Sequence, residues 1–458
     1  MAERNAGEDS SLIGSFVSWG SDWLGYAQNQ INSFIGFDQL EVVNPESEGA
    51  ERGASAGNSD DERQQLWSSF QQYVGMDITS LVTVPVWIME PFSVLQRMAE
   101  IMEYTEILDR ANACEDRLQR LALVAAFGVT PYGSSERPWK PFNPILGETF
   151  QLQCGNGVRF LSEQVSHHPP IGAAHAENRN FVYDIIAAPK SKFLGNSVEI
   201  YPQGRTRIRL KRTGEVFSLV PPTSKACNVV VGGIWIDSFG TLTVVNVSTG
   251  DKAALEFTPC GWFGAGRYEY EGHVTDGSTG AKALRVFGKW NSHCSVERLE
   301  DGSAESSGQA ERLWTCAEKP ADDVYSRTHF CLKCNTCSGA AEPLASDSRR
   351  RSDIAFLNKG DSTAAGTWKY DLEEMQRAER REREKRGDTW EPRWFRRVSS
   401  GDPELTVHPW EYSLKEVPHW EWTGDFDNWG GPARVSNEDS VLGQGFSPWQ
   451  YPELHGKA

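Results

Sequence analysis

Two adjacent histidines are the residues best placed to do chemistry. His167 and His168 lie in the string EQVSHHPP, and the two prolines that follow predict a fixed, extended backbone that presents both rings rigidly. Neighbouring imidazoles can both donate a hydrogen bond to a phosphate oxygen. Lys140, in the upstream string KPFNPILGETF, supplies a full positive charge. The pattern therefore indicates an anion-binding site; the alternative is a pair of surface histidines in a turn.

A second candidate group lies in the strongly charged segment 369–386, which is predicted to be helical. Lys369, Glu373 and Arg377 are spaced by four residues and therefore share one face of a helix. A carboxylate between two cations can orient both of them. The alternative is a solvated helix whose charges only pair with one another along its surface.

The histidines also raise the possibility of an enzyme, either a zinc enzyme or a hydrolase with a histidine base. On an extended strand, adjacent side chains point to opposite sides, so two neighbouring histidines are poorly placed to share one metal ion. Neither an HExxH motif nor a nucleophile elbow accompanies the two histidines. We therefore predict a protein that is not an enzyme and that has no catalytic residues, cofactor or metal.

A zinc-dependent interaction module is a further alternative, based on the cysteines of the string FCLKCNTC. Cys331, Cys334 and Cys337 are closely spaced, with Cys316 as a fourth candidate ligand, but a second CxxC pair is missing. A spacing of three residues is also helical. The favoured interpretation is that these are buried free cysteines.

Composition limits the partners and the compartment. The chain has 458 residues and a net charge of -17, which argues against nucleic acid as a partner, and 39% hydrophobic residues are enough for a large core. Nine cysteines and no secretory signal predict a cytoplasmic protein. No stretch approaches the length of uninterrupted apolar sequence that a membrane-spanning helix needs, so we expect only peripheral association with organelle membranes.

The hydrophobic pattern predicts an α+β fold. An amphipathic helix follows Pro91, a second helix covers Glu115 to Ala126, and short alternating runs between about 148 and 300 predict a meandering antiparallel sheet. A sheet of this size usually curls or closes, and a large barrel can enclose a ligand. Residues 41–63 have the composition of a disordered linker.

The strings KPFNPILGETF and EQVSHHPP together resemble the signature of the oxysterol-binding protein family. The resemblance runs from about Trp67 to about Phe395 and includes the strings VGGIWID, SDSRRRSD and WEPRWF. It implies a nearly closed antiparallel barrel around an apolar tunnel, with an N-terminal lid and flanking helices. It also implies that the headgroup of phosphatidylinositol 4-phosphate, PI(4)P, is held at the tunnel mouth by Lys140, Asn143, His167, His168, Lys369, Glu373 and Arg377.

The resemblance also implies a function and a division of the chain. Trp67 and Phe70 match the family's W-x-x-F lid start, which covers a bound sterol; an ordinary contact between a helix and the core is the alternative. We expect transfer of lipids between membranes, with sterol and PI(4)P bound in turn. Exchange of phosphatidylserine for PI(4)P, or lipid sensing without net transfer, are the alternatives. The expected lipid-binding domain covers residues 63–458: lid and helices 63–135, barrel 136–300, helical region 301–395 and Trp-rich tail 396–458.

Residues 1–62 lie outside the resemblance and carry twelve acidic and two basic residues. Within them, residues 10–37 place Leu12, Phe16, Trp19 and Trp23 on one face of a predicted helix whose other face is uncharged and polar. This composition is typical of helices that insert into loosely packed lipid, so these four residues are predicted membrane contacts. A helix that packs on the barrel or on a protein partner is the alternative.

Overall fold

The computed structural model describes residues 67–68, 70–79, 84–300, 308–337, 342–398, 419–426 and 441–449. The predicted membrane contacts Leu12, Phe16, Trp19 and Trp23 and the predicted linker 41–63 lie outside the described residues and stay predictions.

The segment after Pro91 is helical but not one continuous helix. Strand β1 (Met89–Ser93) leads into α1 (Val94–Ala99), a 3-10 stretch (Glu100–Tyr104) and α2 (Glu106–Ala113). Ser93 begins α1 with a capping box, because its hydroxyl accepts from the amide of Leu95 and its own amide donates to the side chain of Gln96. The 3-10 stretch begins where the carboxylate of Glu100 meets the buried guanidinium of Arg137, at 2.7 Å.

The second predicted helix, α3 (Arg117–Val129), begins two residues later and ends three residues later than expected. Asp116 caps it by accepting from the amides of Leu118 and Gln119. The helix packs on the main sheet so closely that a Cβ at Gly128 would lie 2.6 Å from Leu219 Cδ1. A short helix α4 (Pro131–Ser135) and strand β2 (Lys140–Phe142) follow, and β2 pairs with β1 in parallel.

The main sheet contains fifteen strands, and its neighbours pair in antiparallel fashion. Its strands are β3 (Thr149–Gln153), β4 (Arg159–His167), β5 (Pro170–Glu177), β6 (Phe181–Ala187), β7 (Lys190–Phe193), β8 (Ser197–Tyr201), β9 (Gly204–Leu210), β10 (Val216–Val220), β11 (Thr223–Cys227), β12 (Trp235–Asn246), β13 (Lys252–Phe257), β14 (Glu269–Thr275), β15 (Lys282–Lys289), β16 (His293–Arg298) and β17 (Glu311–Thr315).

The pairing order is β17-β16-β15-β14-β13-β12-β10-β9-β6-β5-β4-β3, and β11, β8 and β7 extend it from the first half of β12. The last strand, β17, lies beyond residue 300, where the sequence pattern placed the end of the strand-rich part. Residues 301–395 are therefore not wholly helical. The expected large antiparallel sheet with flanking helices is confirmed.

The helices after the main sheet are α5 (His329–Lys333), α6 (Ser352–Asn358) and α7 (Ser362–Arg386). Helix α7 extends the predicted charged helix by seven residues at its N-terminus, where Asp361 caps it. Strands β18 (Phe395–Val398) and β19 (His419–Trp422) form a small antiparallel sheet. Within the described residues, no helix has both the length and the apolar character needed to cross a bilayer.

Strands β4 and β5 are covered on both faces. Phe160 and Ala174 belong to the large core beneath α1 to α3, whereas Leu161 and Ala173, one residue along, pack with Phe395 of β18. This alternation follows the two-residue period of a strand. Phe426, Trp420 and Trp422 of the Trp-rich tail pack in the same cluster, so this part of the tail lies on the main sheet next to the strand that carries the histidine pair.

Candidate functional site

The histidine pair lies at a hairpin turn between β4 and β5. His167 ends β4 and pairs with Pro170, so His168 and Pro169 form the turn itself. The two imidazole centroids are 4.6 Å apart with an angle of 71° between the rings. The expectation that both histidines occupy an extended backbone and point to opposite sides was wrong for His168, because the chain must reverse between two antiparallel strands. We call the end of the main sheet where this turn lies the His167 end.

Lys140 is held close to Asn143. Its ammonium group donates to Asn143 Oδ1 at 2.6 Å and to the carbonyl of Pro141 at 3.2 Å. The pKa of Lys140 is lowered to about 8, chiefly by burial and also by the neighbouring cations Lys369 and Arg351, while Glu373 acts in the opposite direction. This lysine is therefore a desolvated cation whose surroundings do not neutralise it.

The face of α7 that the sequence singled out lies near enough to Lys140 to shift the pKa of that lysine. Lys369 is buried and donates to Glu373 Oε1 at 2.8 Å, and Arg377 lies 3.7 Å from Glu373 Oε2. Arg377 also pairs with Glu374 on its exposed side. Glu373 therefore sits between two cations, in the arrangement that the four-residue spacing predicted, and Lys369 lies beside Lys140 rather than in solvent.

His167 belongs to the same electrostatic neighbourhood. Its pKa is lowered to about 4, chiefly by burial and also by His168, Arg380 and Arg377, so the ring is neutral at physiological pH. Its Nδ1 is buried and has no hydrogen-bond partner among the described residues. A buried polar atom of this kind is uncommon in folded proteins and is a candidate for a ligand contact.

Arg380 is a residue that the sequence analysis missed. Its charge lowers the pKa of both histidines, although it also pairs with Glu384 at 2.7 Å. A usable signal existed, since Arg380 follows Arg377 by three residues and so continues the same helical face.

Behind these groups, Arg351 fixes the turn that carries Lys140 and Asn143. Its buried guanidinium binds Glu148 at 2.7 Å and Asp353 at 2.6 Å, and it donates to the carbonyl of Asn143 at 2.9 Å. Burial opposes its charge, but Asp353 and Glu148 raise its pKa. The strings KPFNPILGETF and SDSRRRSD are thus joined by a matched set of buried charges.

Glu163 makes a similar link for the string EQVSHHPP. Its buried carboxylate accepts from the backbone amides of Arg393 and Trp394, both at 2.8 Å. Burial raises its pKa to about 7, although both amides act to lower it. The carboxylate therefore ties β4 to the string WEPRWF.

The predicted lid start packs against the main sheet. Phe70 is buried and lies edge-on to Phe193 of β7 at 5.7 Å, and Trp67 lies 6.4 Å from the same ring. The following residues pair with β7: the amide of Gly75 donates to the carbonyl of Phe193 at 2.6 Å, and the amide of Phe193 donates to Met76 at 3.2 Å. The two aromatic residues therefore lie at the end of β7.

The cysteines considered as zinc ligands contact other protein groups. Cys331 and Cys334 are fully buried, and the thiol of Cys331 donates to Glu100 at 3.3 Å, whereas Cys316 contacts Tyr104. Burial raises the pKa of Cys331 and of Cys316. Within the part of the chain that the structure describes, no group of three or more His, Cys, Asp or Glu side chains is placed to hold a metal ion.

The fold and these motifs define a lipid-binding protein, and comparison with known proteins gives its family. The family model described as oxysterol-binding protein matches residues 65–422, so the chain belongs to the oxysterol-binding protein family, which consists of non-enzymatic lipid-transfer proteins. The chain is 42% identical to oxysterol-binding protein-related protein 3C of Arabidopsis thaliana over 99% of both chains. It is also 42% identical to protein 3B of the same plant, over 98% of this chain and 97% of that one.

Several solved structures share this fold. The Osh1 ORD domain in complex with cholesterol superposes with a TM-score of 0.68 at 30% identity, covering 78% of this chain and 86% of that one. The Osh3 ORD of Saccharomyces cerevisiae in complex with PI(4)P gives a TM-score of 0.64 at 28% identity, covering 79% of this chain and 90% of that one. The expectation of a lipid-binding protein from this family is therefore confirmed.

Proposed function

We propose that this protein exchanges sterol for PI(4)P between membranes and binds the two lipids in turn within one apolar tunnel enclosed by the main sheet. The observation that carries the proposal is that one face of α7 acts on two separate groups. Its buried Lys369 acts on the half-buried Lys140, and Arg377 acts on His167, whose buried Nδ1 has no hydrogen-bond partner among the described residues. Buried cations without matching carboxylates are costly to maintain, and a bound anion offsets that cost.

A phosphorylated inositol headgroup fits this group chemically. Its phosphate accepts several charge-assisted hydrogen bonds, which Lys140, Lys369 and Arg377 can donate together with a neutral imidazole of His167 or His168. Asn143 and Glu373 orient Lys140 and Lys369 at 2.6 and 2.8 Å. The headgroup-binding set then comprises Lys140, Asn143, His167, His168, Lys369, Glu373 and Arg377, with Arg380 at its margin.

The sterol relies on a different interaction. An apolar tunnel that replaces the bilayer stabilises a sterol by about 25 cal/mol for each Å² of apolar surface covered. The large core of the main sheet supplies apolar side chains along β4 to β17, and Trp67 and Phe70 at β7 are candidates to cover the ligand. The acyl chains of PI(4)P need the same apolar space, so occupancy is mutually exclusive. The two relatives solved with cholesterol and with PI(4)P support both ligand classes.

Lipid extraction by the full-length protein tests the proposal. The protein is incubated separately with phosphatidylcholine vesicles that contain cholesterol, PI(4)P or phosphatidylserine, the vesicles are removed by centrifugation, and the bound lipid is identified by mass spectrometry. We expect extraction of cholesterol and of PI(4)P with both lipids chemically unchanged. Extraction of phosphatidylserine in place of cholesterol would mean that phosphatidylserine, and not sterol, is exchanged for PI(4)P. Extraction of neither cholesterol nor PI(4)P would contradict the proposed function.

A second assay distinguishes lipid transfer from lipid sensing. Donor vesicles with labelled sterol are mixed with acceptor vesicles that contain PI(4)P, and the label is followed as it moves. Lipid exchange predicts movement of many sterol molecules per protein, whereas a sensor would release no more label than it binds. The site of action we infer is the cytoplasmic surface of organelle membranes, which the protein contacts peripherally.

A further inference from the structure

The loop between β13 and β14 carries two solvent-exposed aromatic side chains. Trp262 is 89% exposed and Phe263 is 106% exposed, the largest values among the exposed apolar residues of the described chain. Residues 258–266, TPCGWFGAG, carry no charge. Scattered single apolar residues are normal on a protein surface, but two adjacent exposed aromatic rings on an uncharged loop indicate a contact surface.

The loop holds this conformation through its own contacts. The amide of Gly261 donates to the carbonyl of Ala265 at 2.8 Å, and the amide of Cys260 donates to Asp237 Oδ2 at 3.0 Å. Arg267 lies over the ring of Trp235 at 4.6 Å. Phe263 has a left-handed backbone with φ of 56°, which is uncommon for a residue other than glycine. The side chains are thus held outward by a built turn.

Strand directions place this loop at the His167 end of the main sheet. Strand β4 runs toward that end, and each neighbour along the order β4, β5, β6, β9, β10, β12, β13 reverses direction. Strand β13 therefore also runs toward the His167 end, and the loop that follows it lies there. The same alternation places the turn between β14 and β15 at the opposite end.

Other exposed apolar residues lie at the same end. Val231 is 66% exposed in the turn between β11 and β12, and Leu194 is exposed in the turn between β7 and β8, where Asn196 donates to the carbonyl of Val231 at 3.1 Å. Val74 and Met76 are exposed on the segment that pairs with Phe193 of β7. Four separate chain segments thus expose apolar side chains at the end that carries the histidine turn.

We propose that the loop of Trp262 and Phe263 inserts into the surface of a lipid bilayer and, with Val231, Leu194 and Met76 beside it, docks the His167 end on the membrane. Aromatic rings are favoured at the membrane interface, and an uncharged insertion loop needs no anionic lipid. A bilayer fits four small projections better than one protein partner does, because a fluid surface accepts them without a matching groove. The inference rests on the proposed function, since lipid must enter and leave at the end that carries the headgroup site.

Fluorescence quenching by lipid tests insertion directly. Full-length protein and the Trp262→Phe variant are mixed with phosphatidylcholine vesicles whose acyl chains are brominated, and the difference between the two emission signals isolates Trp262. We expect quenching and a blue shift of this difference signal. In parallel, Trp262→Ser with Phe263→Ser should lower the partition coefficient onto unbrominated phosphatidylcholine vesicles by about tenfold.

A matched control moves the same aromatic residues to the opposite end. Adding Ser278→Trp and Thr279→Phe, in the exposed turn between β14 and β15, to the double serine variant should not restore partitioning. Retained sterol binding in solution shows that each variant is folded. An unquenched Trp262 or an unchanged partition coefficient overturns the inference and would indicate that the loop contacts a protein partner instead. A wild-type chain that inserts Trp262 yet extracts no lipid would contradict the proposed function and leave the docking loop standing.

Discussion

Two groups of buried charge lie side by side in this protein and differ in how they are balanced. Arg351 lies between Glu148 and Asp353 at 2.7 and 2.6 Å, and these carboxylates raise its pKa. Lys140 is half-buried, and its pKa is lowered to about 8 by burial and by neighbouring cations. Burial disfavours the charged form of both groups, so the opposite shifts come from the partners.

This difference in charge balance distinguishes the residues that maintain the fold from the residues that bind ligand. A matched buried ion pair contributes little net stability compared with apolar residues, but removing one partner leaves an uncompensated charge. A buried cation that lacks its carboxylate is already uncompensated and is stabilised when an anion arrives. We therefore expect substitutions in the Arg351 group to affect the fold, and substitutions in the Lys140 group to affect one ligand only.

The largest expected effect is that of Arg351→Ala. It leaves Glu148 and Asp353 buried without their cation, which should lower the free energy of unfolding by about 3–5 kcal/mol, measured by urea denaturation. Sterol and PI(4)P binding should be lost together. The exposed pair of Arg386 with Asp388 provides the control, since Arg386→Ala should leave the urea midpoint essentially unchanged. A stable Arg351→Ala protein that loses PI(4)P alone would move Arg351 into the binding group.

Changing His167 and His168 together to Ala should abolish extraction of PI(4)P and spare sterol. Each lost hydrogen bond to a charged phosphate is expected to cost about 1.5–3 kcal/mol, whereas sterol relies on apolar walls. Extraction from vesicles that contain one lipid at a time measures this. Equal loss of both ligands would mean that the change unfolds the protein or that the headgroup binds elsewhere.

Charge reversal on α7 sharpens the comparison between pocket and surface. Lys369→Glu should reduce PI(4)P extraction on the order of a hundredfold, because it removes a buried donor and adds repulsion. Lys385 is on the same helix but is exposed and paired with Glu382, so Lys385→Glu should change extraction by less than about threefold. Indistinguishable effects of the two reversals would refute the assignment of Lys369.

The lowered pKa of Lys140 predicts that PI(4)P affinity and protein stability change with pH in opposite directions. PI(4)P affinity should fall as the pH rises above about 8, since the free protein loses its cation there. Stability without ligand should rise over the same window, from about 8 to the ordinary 10.5, because the unfolded chain binds this proton more tightly. Lys140→Arg should remove both trends, and a wild-type affinity that stays flat to pH 10 would contradict the assigned environment.

The smallest effect is expected at Arg380, at the margin of the group. It is half exposed and shares its charge with Glu384, so Arg380→Ala should weaken PI(4)P extraction by about threefold to tenfold. Arg381, the next residue, points about 100° away on the helix and serves as the control. An effect of Arg381→Ala as large as that of Arg380→Ala would indicate general surface attraction instead of contact with the headgroup.

The features that the sequence predicts correctly depend on residues close to one another along the chain. The four-residue spacing of Lys369, Glu373 and Arg377 fixes their common face on any helix, and the alternation in β4 and β5 gives two buried faces. Both are consequences of short-range geometry. The position of α7 against Lys140 is not, since it depends on contacts between segments more than two hundred residues apart.

The parts that the sequence analysis did not anticipate follow from such long-range contacts. The turn at His168 depends on pairing between β4 and β5, and the interruption after α1 coincides with the Arg137 to Glu100 pair. Glu148 and Glu163 looked like unremarkable positions within longer strings, yet each joins two distant strings through a buried carboxylate. Much of what made those strings recognisable is therefore scaffold around a small set of binding residues.

Displacement of sterol by PI(4)P tests the central claim most directly. Full-length protein loaded with a fluorescent sterol is titrated with vesicles that contain PI(4)P, and released sterol and bound PI(4)P are both counted. We predict that one sterol leaves for each PI(4)P bound, and that the variant with His167 and His168 changed to Ala keeps its sterol under the same titration. Simultaneous binding of sterol and PI(4)P by one molecule would contradict alternate occupancy of a single tunnel.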